Sequence, residues 1–318
     1  MKLTQNDWNL GHLKVHLQRA VDLEFWTIPF YMSAMYSIKD KSSEPYQLIR
    51  TIVNQEMLHL QCASNIANAY GLSPSIDAPV YEGTTIPHLD FSLDNKEVIK
   101  PYLPYTAEIG PLDLKHINAM CLIEIPEYDT QEKVPLFSNV EEYGSIGAFY
   151  EALRLGASHL KKDIKGGVRQ VDFFSAFYRN MPKMKITEPK DAGFNQVDLL
   201  IDLITEQGEG QSKVNHTIPE TFQNTADDTE PEDDHFEKFN EIKNSQPFPE
   251  TFQVKKVSDY TVEDKELEAI LIEQFTELRN TLQQLFSGEN PENFFAIMAS
   301  VGGAIRNCWE HGVTPKYI

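Results

Sequence analysis

The stretch from Arg50 to Gly71, RTIVNQEMLHLQCASNIANAYG, sets a carboxylate and an imidazole among apolar residues. Ile49, Ile52, Val53, Leu60, Ala63, Ile66, Ala67 and Tyr70 recur at helical spacing and describe one buried stripe, with Glu56 and His59 inside it. At about 100° per residue, a separation of three leaves two side chains roughly 60° apart on one face, so both point inward. An ionised carboxylate buried without a partner is strongly unfavourable. Two arrangements relieve it: hydrogen bonds from His59 or a neighbour, or a metal ion, which accepts carboxylate oxygen and imidazole nitrogen alike. In a helical bundle, Glu-x-x-His facing further glutamates is the ligand pattern of a dinuclear carboxylate centre. The choice between the two depends on carboxylates elsewhere in the chain.

The other segments say where such partners can stand. His12 to Tyr36 reads as a helix in which Val21, Phe25, Ile28 and Met32 share a face with Glu24, a second charge among apolar residues. Pro29 is predicted to kink that helix one turn beyond Glu24. The short turn Lys39 to Pro45 makes the first two helices antiparallel neighbours. Gly71 reads as a C-cap, and residues 72–112 follow with many prolines and aromatics but no period. So long an irregular run within a domain usually serves a function or covers a site. Leu112 to Glu127 predicts a helix that Pro126 ends, with Ile117, Met120, Cys121 and Glu124 on one side. At the helix end Glu124 reads as solvent-facing, support behind a metal ligand being the alternative. Ser145 caps a helix over 145–160 whose stripe of Ile146, Phe149, Tyr150, Leu153, Ala157 and Leu160 leaves Glu151 on the opposite side. Residues 196–210 are apolar almost all round, with Glu206 and Glu209 near the end. His235, after a polar stretch, reads from pattern alone as a solvent histidine. Helices over 261–287 and 291–311 close the chain without a ligand on their apolar faces. They are packing helices or a surface for a second subunit, so a homo-oligomer is one expectation.

Composition narrows the class of protein. The formal net charge of −20 opposes nucleic acid or an anionic membrane as a main partner. No run of about 18 apolar residues occurs, and MKLTQNDWNL lacks the apolar core of a signal peptide, so the expectation is a soluble cytoplasmic protein. Cys62, Cys121 and Cys308 form no CxxC pair and read as reduced thiols. At 318 residues with 41% hydrophobic content, a single large helical domain over 1–318 can build its own core.

In order along the chain, LQRAVDLEFWTIPFYMSAMYSI, IVNQEMLHLQCASNIANAYG, IEIPE, SIGAFYEAL, ITEQGEG and DHFEKFNEI resemble the ferritin-like domain family that includes the ferritin-like domain of iminophenyl-pyruvate dimer synthase, from bisindole pigment biosynthesis. The resemblance covers roughly residues 12 to 310. It implies an all-α ferritin-like four-helix bundle, with core helices at about 12–37, 46–70, 145–160 and 196–210, and a centre of two metal ions, commonly iron. The implied ligands are Glu24, Glu56, His59, Glu151, Glu206 or Glu209, and His235. One expectation built on that centre is a di-iron type oxidoreductase in which the metals bind dioxygen or a substrate heteroatom and act on a small, amino-acid-derived molecule. The multidomain synthases carry much more chain, so their particular reaction does not transfer. The same ligands permit an iron-oxidising or storage protein without an organic substrate, and an interaction scaffold with a vestigial site is the third possibility. Two departures stand out: Gln55 occupies a position where many members carry a second acid, and the last bundle helix shows Glu-x-x-Glu in place of Glu-x-x-His.

Overall fold

The computed structural model describes residues 2–4, 7–91, 96–126, 136–138, 143–174, 184–208 and 233–318. Two long helices, α1 (Leu10–Ser37) and α2 (Glu44–Ala69), form an antiparallel hairpin. The Asn9 side chain accepts from the N–H groups of Gly11 and His12 to cap α1. Pro45 sits in the first turn of α2, where no N–H is needed. α2 stops at Gly71, whose φ of +74° is the left-handed conformation that ends a helix most cheaply without a Cβ. α1 runs helical through Pro29.

The third and fourth positions of the bundle are each filled by two shorter helices. Along the C-terminal half of α1 lies α4 (Leu114–Ile123), where Leu112 N–H donates to Ser37 Oγ at 2.9 Å. Along its N-terminal half lies α5 (Ile146–His159), where Phe149 stacks on His16. α2 is covered the same way, by α6 (Lys190–Gly208) and then α7 (His235–Asn244). Both composite helices are therefore interrupted at one level of the bundle, where α4 and α6 end and α5 and α7 begin.

The described residues between α2 and α4 form a long crossover, as a bundle needs when its second and third positions run parallel. The crossover straps the outer face of α1. Gln18 exchanges two hydrogen bonds with the Ser75 backbone, Trp26 Nε1 donates to Val80 O at 2.8 Å, and the Tyr81 hydroxyl donates to Trp26 O at 2.8 Å. A short helix, α3 (Lys96–Ile99), lies within it, and β1 (Lys2–Leu3) pairs antiparallel with β2 (Leu136–Phe137) elsewhere.

Two further helices, α8 (Val262–Phe286) and α9 (Phe294–Glu310), pack on each other, and both reach α1. Phe275 stacks on Phe25, Trp309 Nε1 donates to Ser33 O at 2.9 Å, and Arg306 Nη1 donates to Ile38 O at 2.6 Å. Thr261 caps α8 through a reciprocal pair with Asp264. α9 starts at Phe294 behind a left-handed Asn293, a few residues later than Pro291 suggests. With α2, the composite helix, the crossover and the C-terminal pair around it, α1 is buried on every side from Leu23 to Met35. Among the described residues no helix is long and apolar enough to cross a membrane.

His16 tests this packing. It is fully buried between Trp8, Tyr143 and Phe149, and its Nδ1 lies 2.9 Å from His12 O. Burial lowers its pKa to about 4. The unfolded chain therefore binds a proton that the folded one refuses, and stability falls as pH drops from about 6.5 towards 4, by up to about 3 kcal/mol. Urea unfolding of His16→Phe is expected to show a shallower loss over that window than the unsubstituted protein.

Candidate metal centre

The interruption of the two composite helices is where the charged groups converge. Glu24 comes from the middle of α1, Glu56 and His59 from α2, Glu124 from the C-cap of α4, and His235 from the first turn of α7. All five are buried, none more than 4% exposed. One ligand atom from each of Glu56, His59 and His235 lies within 4.8 Å of the other two. His235 Nδ1 is 3.0 Å from Glu56 Oε1 and 3.5 Å from Glu124 Oε2. His59 Nδ1 is 3.7 Å from Glu24 Oε2 and 3.9 Å from Glu56 Oε1. Glu56 thus lies between two half-sites, each completed by one glutamate and one histidine.

Each member is also held from behind. The Thr27 hydroxyl donates to Glu56 Oε2 at 2.7 Å, the Tyr31 hydroxyl to Glu124 Oε1 at 2.5 Å, and the Tyr150 hydroxyl to Glu24 Oε1. His59 Nε2 faces Gln207 Oε1 at 3.0 Å and His235 Nε2 faces Gln55 Oε1 at 3.1 Å. Gly208 leaves space for Glu124, since a Cβ there would stand 3.2 Å from Glu124 Oε2. The cavity over the cluster, about 10 Å³, is bounded by Leu23, Ile146 and Ile204 beside the acidic residues. Among the described residues none of the 72–112 crossover lines it, and Trp26 Nε1 donating to Val80 O shows that segment bracing α1 from outside.

The electrostatics call for a cation. Burial and the Glu56 charge push the Glu24 carboxyl well above its ordinary range, and the same two causes raise Glu124. Burial opposes the Glu56 charge as well, but His235, His59 and Thr27 hold it below its usual value. Burial lowers His59 to about 4. For His235 burial is outweighed by Glu124 and Glu56, which lift it to about 9. The ion pairs of Glu24, Glu56 and Glu124 among the described residues are all with histidine, none with lysine or arginine. Without an ion, protons on Glu24, Glu124 and His235 must carry the compensation.

The donor set fits a metal. Atoms each about 2 Å from one ion stand roughly 3 to 4 Å from each other, which is the spacing found here. His235 Nδ1 supports the fit, for it is buried without a hydrogen bond of acceptable geometry although Glu56 is only 3.0 Å away. Carboxylates and imidazoles together suit a first-row divalent ion such as iron, manganese or zinc.

Of the residues that sequence and resemblance pointed to, Glu24, Glu56, His59 and His235 are brought together. Glu151 is not: one residue past Tyr150 it is turned about 100° away, and its carboxylate accepts from Arg154 Nε at 3.2 Å, in a group with Asp198 and Asp202. Glu206 is half-buried and absent from the cavity wall, where its neighbours Gln207 and Gly208 stand. Glu209 lies outside the described residues. Glu124 corrects the reading of a solvent-facing helix end, being 3% exposed at the cluster's heart. Its signal was the shared face with Ile117, Met120 and Cys121. Tyr31 and Thr27 also carried a signal, lying seven and three residues after Glu24 on one helical face.

A bundle with a buried set of glutamates and histidines at mid-height is the architecture of the ferritin-like proteins. The chain belongs to that family: the Ferritin-like family model matches residues 17–244. Among solved structures, that of a ferritin-like protein from Caulobacter vibrioides is similar over 98% of this chain and 99% of that one, with 41% identity and a TM-score of 0.84. No curated protein matches.

Glu24 provides a test in the metal-free protein. Its folded pKa is raised, so the folded chain binds more protons than the unfolded one, and stability declines as pH rises above the unfolded value of 4.5. With chelator present at pH 7.5, Glu24→Gln is expected to raise the unfolding free energy in urea titrations by on the order of 1 kcal/mol, and to flatten that decline.

Proposed function

We propose that this chain is a metal-dependent oxidoreductase in which Glu24, Glu56, His59, Glu124 and His235 hold two ions, iron being the expected metal. The convergence of two imidazole Nδ1 atoms on three buried carboxylates, with no lysine or arginine ion-paired to them among the described residues, carries this reading. Bound there, a redox-active pair supplies Lewis acidity and electrons for the reduction of dioxygen.

The protein's own groups prepare the site for that chemistry. The apolar side chains of Leu23, Ile146 and Ile204 border the cluster, and such low-dielectric walls strengthen the charge interactions beside them. The Tyr31 and Tyr150 hydroxyls donate to Glu124 Oε1 and Glu24 Oε1 and so orient both carboxylates. Burial, then the Glu124 and Glu56 charges, raise the Tyr31 phenol well above its ordinary pKa, so it keeps its proton at neutral pH. A small, amino-acid-derived substrate is the reading that the resemblance of the motif runs to the ferritin-like domain of iminophenyl-pyruvate dimer synthase suggests; the synthase's particular reaction is not carried over.

A second reading, an iron-oxidising protein without an organic substrate, draws on the small cavity that the described residues leave over the cluster, about 10 Å³, which has room for an ion or a water-sized molecule. On the first reading the organic molecule binds at the rim, beyond Ile146 and Ile204. Anaerobic Fe(II) titration followed by admission of air separates the two. The enzyme reading expects saturation at two irons per chain and no further accumulation on aeration, whereas continuing uptake of iron supports storage. Saturation below one iron per chain excludes both.

Two expected outcomes address the ligands and the protons. Glu124→Ala or Glu56→Ala lowers iron content to one per chain or less, and Glu151→Ala leaves it unchanged, as read by elemental analysis. Because His235 holds a proton up to pH about 9 when no ion is present, binding must displace it. Affinity for Co(II) should rise with pH up to about 9, and calorimetry at pH 7 in buffers of different ionisation enthalpy should record proton release.

A further inference from the structure

Outside the ligand set, two glutamines occupy matching places. Gln207, near the end of α6, presents Oε1 to Nε2 of His59 on α2, and Gln55 on α2 presents Oε1 to Nε2 of His235 on α7. Both glutamines are buried, at 6% and 1% exposure respectively. An amide oxygen only accepts, so each contact requires the proton of a neutral ring to sit on Nε2. That leaves Nδ1 as the nitrogen facing the carboxylates, at 3.0 Å from Glu56 for His235 and 3.7 Å from Glu24 for His59.

With Nε2 engaged by the glutamine, Nδ1 is the nitrogen of His235 that faces Glu56 and Glu124, 3.0 and 3.5 Å away, so an ion that displaces a proton from the ring finds the donor atom already among the carboxylates. The braces also cross the helix interruptions: one ties α6 to α2, the other α2 to α7, so the composite fourth helix is pinned on both sides of its break.

We propose that Gln55 and Gln207 are the positioning residues of the metal centre, fixing His235 and His59 in the tautomer that coordinates through Nδ1. The inference rests on the metal-centre reading and adds to it the protein groups that make the imidazoles competent. Where a carboxylate in either place would add a negative charge to an acidic pocket, the amide holds the ring and adds none. This gives a physical reason for Gln55 to replace an acid beside Glu56.

The test uses the full chain with Zn(II) and Co(II) as probes. In the Zn(II)-loaded protein labelled with nitrogen-15 at histidine, His59 and His235 are each expected to carry a proton on Nε2 and none on Nδ1. By calorimetry, Gln55→Leu and Gln207→Leu should each weaken Co(II) binding by about 10- to 100-fold. Gln55→Glu and Gln207→Glu, which keep the acceptor, should bind at least as tightly as the unsubstituted chain to within about threefold. A proton on Nδ1 of either ring in the unsubstituted Zn(II) form overturns the proposal, as do Leu variants that bind Co(II) with unchanged affinity. If a Leu variant does not fold, the spectrum of the unsubstituted protein and the Glu variants decide. An unsubstituted chain that takes up neither ion sinks the metal-centre reading itself, and is told apart from failure of the brace alone because no variant is needed to see it.

Discussion

Three carboxylates buried around two imidazoles cannot all be charged at once in an apolar interior. The rest of the structure is arranged around that constraint. Glu24, Glu56 and Glu124 are each given one hydroxyl donor, from Tyr150, Thr27 and Tyr31. The imidazoles are each given one amide acceptor. These neutral contacts orient the ligands without cancelling their charge. Protons cover the deficit when no ion is bound, and an ion does so better. Such a centre costs folding free energy in the metal-free state, and the large apolar core around α1 and α2 offsets it.

The bundle is built to allow this. If the third and fourth helices were continuous, Glu124 could not lie at a helix end, nor His235 in a first turn. Because, among the described residues, α4 and α6 end at Ile123 and Gly208 while α5 and α7 begin at Ile146 and His235, four helix ends meet at the level of the cluster. Helix ends present side chains and free backbone groups at angles that an uninterrupted stripe cannot. The outer elements compensate for the broken helices. The crossover and the α8 and α9 pair grip α1 from outside, through Gln18, Trp26, Phe25 and Ser33, and hold the unbroken half of the bundle rigid.

Legibility in the sequence followed the same division. Glu24, Glu56 and His59 sit within long helices, and a polar residue on an otherwise apolar stripe is visible at a period of 3.6. Glu124 and His235 sit at ends, where period gives no direction, and both read from pattern as solvent-facing. Resemblance supplied His235 and pointed to Glu151, yet in the folded chain Tyr150 faces Glu24 while its neighbour turns to Arg154. Gln55 looked like a lost acid, and its contact with His235 joins residues 180 apart in sequence.

The sequence by itself determined that the chain is helical, that α1 and α2 pair, and that charge is buried on their shared faces, because local periodicity and capping chemistry decide those matters. Tertiary structure alone decided which glutamate completes the second half-site, which nitrogen of each histidine faces inward, and what role the 72–112 segment plays. These depend on where the ends of separate helices meet in space, and contacts between groups more than 90 residues apart leave no periodic trace in a single chain.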